Sequence, residues 1–209
     1  MKNFASGFYL IGIGGSSCCG KTSIAIELAS RLEGYSPVLT LDSYYRDFSS
    51  MTPKERDEIN FDIPESLDHE LIYKHIIMLT RGNIVEKPVY DYSTHLRKGT
   101  EKISPPDRFL IVEGLYAFYR KEIRRLYNLK VFIDLDDETA FERRIERDVR
   151  ERGSSREYVI RQYKMMVRPM FNKYILPTRK YADLVLDGKS SVEESVGRIM
   201  EVIDNKTLY

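Results

Sequence analysis

Five short apolar runs punctuate the chain: Phe8 to Ile13, Val38 to Leu41, Phe109 to Val112, Val131 to Leu135 and Ala182 to Leu186. They show little polar alternation, so they read as strands buried on both faces. Between them apolar positions recur at three- and four-residue spacing. This predicts helices over Lys21 to Glu33, Pro53 to Ile59, Leu67 to Arg81, Tyr116 to Tyr127, Asp137 to Arg152, Arg156 to Phe171 and Val192 to Ile203. Residues after Asp204 are expected to fray. Strand and helix alternating in this way predict an α/β fold, a parallel sheet flanked by helices. From Gly82 to Ser104 the rhythm changes. Ile84 to Tyr90 and Leu96 to Ile103, around Asp91 to His95, predict a β-hairpin flap set off from the main sheet.

In such sheets ligands collect beyond the carboxyl ends of the strands, so the residues that follow each apolar run come next. After the first run stands Gly14-Gly15-Ser16-Ser17-Cys18-Cys19-Gly20-Lys21-Thr22. From Gly15 the spacing is G-x-x-x-x-G-K-T, the P-loop pattern. Main-chain N–H groups can close around phosphate oxygens there, and the following helix N-terminus adds a favourable field. Lys21 would place a cation on the β/γ-phosphates and the Thr22 hydroxyl would bind Mg²⁺. A glycine turn that merely links strand to helix is the plainer reading. The strand before the loop and Ile24, Leu28 and Leu32 after it speak against that.

Asp42 follows the second run, where a carboxylate can accept a proton from an attacking hydroxyl, help hold Mg²⁺ through water, or simply cap a turn. Glu113 ends the third run, the place where phosphate-loop enzymes hold their metal.

Length and composition narrow the field. With 209 residues the chain suits one domain, 1–209. Hydrophobic content of 42%, charged content of 31% and a net charge of +1 indicate neither disorder nor a global nucleic-acid surface. Locally the balance shifts: Glu142 to Lys180 holds twelve Lys or Arg against five Asp or Glu, a net +7 that leaves −6 elsewhere. A basic segment facing a phosphate loop suits a polyanionic small ligand as well as a nucleic acid. Cys18 and Cys19, the only cysteines, are adjacent and cannot staple distant parts of the chain. With no signal pattern and no apolar run of membrane-span length, a cytoplasmic protein is expected.

The segment from Phe141 to Gly153 puts Phe141, Ile145 and Val149 on one helix face, with Arg144 and Arg147 neighbours on its flank. Those arginines either close over a phosphoryl group in transit or belong to a solvated helix laced with Glu/Arg pairs, the reading that fits Arg143 and Arg150. His95, beside Tyr90 and Tyr92, is either solvated or placed against a base. Asp62, in Asn60-Phe61-Asp62-Ile63-Pro64, either grips vicinal hydroxyls or caps the next helix.

Taken together these blocks resemble the uridine kinase (uridine-cytidine kinase) family nearly end to end. The matching pieces are Gly20-Lys21-Thr22, Asp42-Ser43-Tyr44-Tyr45, Asn60-Phe61-Asp62-Ile63-Pro64, Pro88-Val89-Tyr90-Asp91-Tyr92 and His95-Leu96-Arg97. They continue with Glu113-Gly114, Arg143-Arg144-Ile145-Glu146-Arg147-Asp148, Glu151-Arg152-Gly153, Gln162-Tyr163 and Val167-Arg168-Pro169-Met170-Phe171. The resemblance implies transfer of the γ-phosphoryl group of ATP or GTP, with Mg²⁺, to the 5′-hydroxyl of uridine or cytidine. It implies Asp42 as catalytic base, with Lys21 and Arg147 also catalytic, and Thr22 and Glu113 at the metal. The nucleotide would lie on Gly15 to Ser23 and Arg152. The acceptor would meet Asp42, Tyr45, Phe61, Asp62, Tyr90, His95, Arg144 and Gln162. A lid of about 137–156 and a flap of about 82–104 are implied, as is a homotetramer restrained by pyrimidine triphosphates, with no nucleic-acid or membrane partner.

Two departures from the family pattern stand out. Ser154 stands where a basic residue is common. Cys18 and Cys19 replace small residues such as Ala and Ser, and a thiol near a helix N-terminus is expected to have a lowered pKa. Sister P-loop kinases, resembling phosphoribulokinase or pantothenate kinase, and a nucleotide-gated switch are the alternatives. The switch is disfavoured because the chain has no Asn-Lys-x-Asp guanine-reading element.

Overall fold

The strands in chain order are β1 (Tyr9–Gly15), β2 (Val38–Thr40), β3 (Val85–Asp91), β4 (Leu96–Ile103), β5 (Phe109–Glu113), β6 (Leu129–Asp134) and β7 (Leu184–Asp187). The computed structural model describes residues 7–57 and 59–207. Five strands form one parallel sheet in the order β2-β5-β1-β6-β7, the α/β arrangement that the apolar pattern predicts. In register, Ile13 of β1 lies opposite Glu113 of β5, and Gly15 lies opposite Ile133 of β6. The carboxyl ends of the central strands therefore reach one edge together.

The helices are α1 (Lys21–Arg31), α2 (Pro53–Asp57), α3 (His69–Leu79), α4 (Lys121–Arg124), α5 (Asp137–Arg152), α6 (Arg156–Gln162), α7 (Arg168–Met170) and α8 (Val192–Thr207). Successive β1 side chains point to opposite faces, and each face has its own core. Ile11 and Ile13 pack with Ile24 and Leu28 of α1 and Val196, Ile199 and Ile203 of α8. Leu10 packs on the other face, with Leu110, Val112 and Phe132 of the sheet and Ile72, Ile76 and Leu79 of α3. Both faces are covered, which is why the strands carry no polar alternation.

Several boundaries differ from expectation. The predicted helix from Tyr116 to Tyr127 is mostly turn, with helix only over α4. Tyr116, Ala117, Phe118 and Tyr127 are all buried, and no single stripe of a helix can bury consecutive residues 116, 117 and 118 on a flat sheet. The Phe118 and Tyr127 rings lie against β1 where a Cβ on Gly12 would approach both to 2.9 Å or less, so the strand glycines make room for them. Arg124 Nη1 donates to the Phe118 carbonyl at 2.7 Å and holds the turn.

Beyond α6 the helical path does not stop at Phe171. It passes through π-helical turns at Tyr163–Val167 and Phe171–Ile175 and ends in a 3₁₀ stretch, Leu176–Tyr181. Helix α8 continues to Thr207 past the expected fraying point, with Leu208 and Tyr209 outside the described residues. Helix α2 reaches Asp57, residue 58 is outside the described residues, and Ile59 is already in a bend.

Strands β3 and β4 form a separate antiparallel hairpin with an irregular register between Pro88 and Tyr90. Val85 and Tyr90 face the core, while most of β4 is exposed. Among the described residues no helix is long and apolar enough to cross a membrane.

Candidate active site

The loop after β1 is shaped by close approaches. Gly15 has φ +147°, and a Cβ there would lie 2.4 Å from the Ile133 carbonyl oxygen, so only glycine lets the chain leave the sheet at this point. Cys18 is left-handed at φ +60°, a conformation that costs a residue with a Cβ about 1–2 kcal/mol. Gly20, at φ +94°, begins α1 and offers no side-chain cap, so the first-turn amides are left for an anion. Lys21 folds back over the loop, its Nζ donating to the Ser16 carbonyl at 2.6 Å. Burial pulls the Lys21 ammonium down, but Cys19, Glu113 and Asp42 outweigh it and the net shift is upward.

Thr22 Oγ1 donates to Glu113 Oε1 at 3.1 Å, joining the loop to the end of β5. Burial, then the nearby Asp42 charge, push the Glu113 carboxyl above its ordinary range. A hydroxyl beside an electrostatically uncomfortable carboxylate is an all-oxygen set that suits Mg²⁺. Among the described residues no group of three His, Cys, Asp or Glu could hold a metal alone. The set therefore fits a Mg²⁺ that takes its other ligands from phosphate oxygens and water. Of the two loop thiols, Cys19 does not have the lowered pKa expected near a helix N-terminus: its side chain is 1% exposed, and burial pushes the thiol up.

A cavity of about 720 Å³ opens from this loop. Ser17, Cys18, Gly20, Lys21, Thr22 and Ser23 line its floor, with Asp42 and Glu113 beside them. Gly15, Ser16 and Cys19, all three buried, are not among its lining residues. Asp42 sits in a 3₁₀ turn, Leu41–Tyr44, at the carboxyl end of β2. Its charge raises Glu113 and Asp62 as well as Lys21.

The far end of the cavity is aromatic. Phe61 and His95 stack at 4.3 Å with 12° between planes, Tyr45 lies 5.0 Å from Tyr90, and Phe61 meets Tyr45 edge-on. His95 takes φ +55° at the hairpin turn, within 3.4 Å of the Tyr90 hydroxyl. Asp62 faces this end. Its main chain is fixed by the Tyr116 hydroxyl, which donates to the Asp62 carbonyl. Burial raises the Asp62 carboxyl, while Arg144, 3.8 Å away, opposes the rise.

The basic helix supplies the third side. Asp136 caps α5 through the Thr139 amide and left-handed Gly153 ends it, before Ser155 caps α6. Arg144, Arg147 and Arg152 line the cavity, as do Gln162 and Ser154. Arg144 Nη1 donates to Ser17 Oγ at 3.3 Å and so touches the phosphate loop. Arg143 lines the cavity too, against the solvated-helix expectation, and donates to the Gly188 carbonyl at 2.9 Å, whereas Arg150 pairs with Glu146 and Glu151 on the surface.

Three contributors carry no assigned role in the sequence reading. Asp148 is buried among the arginines of α5, a placement hinted at by its four-residue spacing from Arg144 and Arg152. Arg97 reaches from β4 to the Tyr45 carbonyl at 2.8 Å, and nothing in the local pattern announces that contact. Tyr92 lies under the Arg152 guanidinium at 4.6 Å, bridging hairpin and lid.

Comparison with known proteins adds a separate line. Residues 10–195 match the model of the Phosphoribulokinase / Uridine kinase family. The chain is 39% identical over 202 residues to the uridine kinase of Staphylococcus carnosus (strain TM300), covering 94% of this chain and 97% of that one. It is 41% identical over 178 residues to the uridine kinase of Staphylococcus haemolyticus (strain JCSC1435), covering 85% and 86%. The solved structure of phosphoribulokinase from Rhodobacter spheroides superposes with a TM-score of 0.60 at 17% identity, over 89% of this chain and 74% of that one, a likeness of fold.

Proposed function

The chain belongs to the phosphoribulokinase/uridine kinase family, and from that premise we propose that it transfers the γ-phosphoryl group of ATP or GTP to the 5′-hydroxyl of uridine or cytidine. The observation that carries the reading is the single cavity in which a phosphate loop faces an aromatic, carboxylate-bearing end. A flat base fits the ring cluster of Tyr45, Phe61, Tyr90 and His95, and Asp62 suits the ribose hydroxyls. With the sugar so held, its 5′-oxygen would point toward the loop.

In the proposed mechanism that oxygen attacks the γ-phosphorus while the bond to the β-phosphate oxygen breaks, and ADP leaves, or GDP where GTP is the donor. Asp42 takes the hydroxyl proton as the new bond forms. Lys21 and Arg147 meet the charge on the transferring group, and Arg152 meets the phosphates. Thr22 and Glu113 would hold Mg²⁺, whose charge offsets that of the β- and γ-oxygens. Closure of the lid over both substrates keeps water from competing with the sugar hydroxyl. By the same reading the protein works in the cytoplasm in pyrimidine salvage, as a homo-oligomer, a tetramer by family resemblance.

The test is release of ADP from ATP, or of GDP from GTP, by the purified protein with Mg²⁺, offered uridine, cytidine, adenosine, ribulose 5-phosphate and pantothenate in turn. UMP and CMP are the expected products. Preferential transfer to a non-nucleoside acceptor, or nucleotide binding with no transfer to any of them, would overturn the reading.

A further inference from the structure

On the same helix that carries the surface pairs of Arg150, one carboxylate is treated quite differently. Asp148 is 5% exposed and sits among three guanidinium groups. Its Oδ1 accepts from Arg147 Nε at 2.9 Å and lies 2.8 Å from Arg147 Nη2. Arg152 Nε is 3.4 Å from the same oxygen, and Arg144 Nε is 3.3 Å from Oδ2. Arg150, by contrast, meets Glu146 and Glu151 with every partner more than half exposed, the arrangement expected of a merely solvated helix.

Each arginine of the buried group also reaches something else in the cavity. Arg144 touches Ser17 of the phosphate loop and faces Asp62, and Arg152 covers the Tyr92 ring. Arg147 lines the cavity while its Nε and Nη2 lie on Asp148. One negative charge cannot cancel three positive ones, so the cluster keeps a net positive face toward the loop. What the carboxylate supplies is direction. A guanidinium is a planar fork on a flexible stem. Asp148 fixes that of Arg147 by a hydrogen bond at Nε, and holds Arg144 and Arg152 by charge alone, at 3.3 and 3.4 Å with no hydrogen bond at the Arg144 Nε, so that the remaining donors are aimed before any substrate arrives.

We propose that Asp148 is a positioning residue for phosphoryl transfer, holding Arg144, Arg147 and Arg152 in the orientation from which they meet the nucleotide. This rests on the kinase reading above. Preorganised donors act most where charge develops during transfer, so loss of the anchor falls on kcat as well as on nucleotide affinity.

The experiment compares the whole protein with Asp148→Asn, Asp148→Glu, Arg147→Ala and the Arg147→Ala/Asp148→Asn double variant. Each is checked for fold by circular dichroism. Each is then measured for the Kd of a non-hydrolysable ATP analogue and for kcat with uridine. Asp148→Asn is expected to weaken the analogue about tenfold and lower kcat about 100-fold, the scale of losing one transition-state donor. Asp148→Glu, which keeps the charge, recovers at least half of that loss on a logarithmic scale. In the Arg147→Ala background Asp148→Asn costs several-fold less, because the arginine that it positions is gone.

A folded Asp148→Asn variant within twofold of the native protein in both measurements overturns the proposal, as does an equal cost in the two backgrounds. If the Asn variant does not fold, Asp148→Ser is read by the same criteria. Absence of uridine turnover in the native protein would count against the kinase reading alone, since the analogue Kd still reports on Asp148.

Discussion

The two ends of the cavity are built in opposite ways. The phosphate end is local: nine consecutive residues, Gly14 to Thr22, follow the central strand and are fixed by the strand, the helix and one backfolded lysine. The aromatic end is assembled from distant pieces. Tyr45 follows β2, Phe61 and Asp62 lie in a loop before α3, and Tyr90 and His95 come from a two-stranded hairpin outside the main sheet. What joins these pieces is tertiary bonding, chiefly Arg97 to the Tyr44 and Tyr45 carbonyls and Lys87 to the Ser43 hydroxyl. The rigid end is thus part of the sheet, while the end that would choose the acceptor is pinned to it at a few points.

The sharpest way to break this comparison is at Asp42, the carboxylate between the two ends. In the proposed mechanism Asp42→Asn removes the proton acceptor and leaves the phosphate loop untouched. Turnover should fall about 1,000-fold while the Kd for an ATP analogue stays within about threefold. Calorimetric titration beside the ADP-release assay checks both halves. Near-native turnover would remove Asp42 from the chemistry.

The same contrast explains what was legible in the sequence. The phosphate loop could be read because its geometry is encoded within nine residues and its glycines answer to backbone constraints. The sheet could be read because five runs buried on both faces leave an unmistakable apolar signature. The segment from Tyr116 to Tyr127 misled because apolar spacing cannot separate a helix from turns packed aromatic by aromatic against strand glycines. The functions of Arg97 and Asp148 stayed hidden for another reason. An arginine that bonds main-chain carbonyls 52 and 53 residues away leaves no local pattern, and a buried carboxylate looks like any other member of a Glu/Arg-rich helix until its exposure is known. Sequence likewise suggested an activated thiol in the Cys18-Cys19 pair, but the Cys19 side chain turns into the core and burial raises its thiol.

If a few bonds hold the aromatic end, cutting one should loosen it without disturbing the other. Arg97→Ala removes bonds to two carbonyls and a 3.4 Å contact with Asp68, from a side chain only 20% exposed. A stability loss of about 2 kcal/mol is expected by thermal unfolding. Uridine kcat/KM should drop about 20-fold with ATP-analogue affinity unchanged. Equal losses at both ends would show that the two are one rigid unit. His95→Ala is milder. It deletes one ring of the Phe61 stack, worth on the order of 1 kcal/mol, so the uridine KM should rise about fivefold with kcat nearly kept. An unchanged uridine response would take His95 out of the acceptor pocket.

The smallest effect concerns Asp62 and is read in stability, without substrate. Burial, the largest influence on its carboxyl, raises the folded pKa above the unfolded value. The folded state then binds a proton that the unfolded state has already released over the interval between those two values. Stability contributed by this group is present below the unfolded pKa and is lost as pH rises through the folded one. Asp62→Asn mimics the protonated form. It should raise the melting temperature of the substrate-free protein by about 2 °C at pH 7, the scale of a small free-energy gain in a chain of this length. The gap should close as the pH falls below the ordinary carboxylate range. The same variant should bind uridine more weakly, so the residue that costs the empty protein stability is the one proposed to hold the sugar. A pH-independent gap, or a destabilised Asn variant at neutral pH, would mean that Arg144 at 3.8 Å already compensates the charge. In that case the aromatic end is as settled before binding as the phosphate loop.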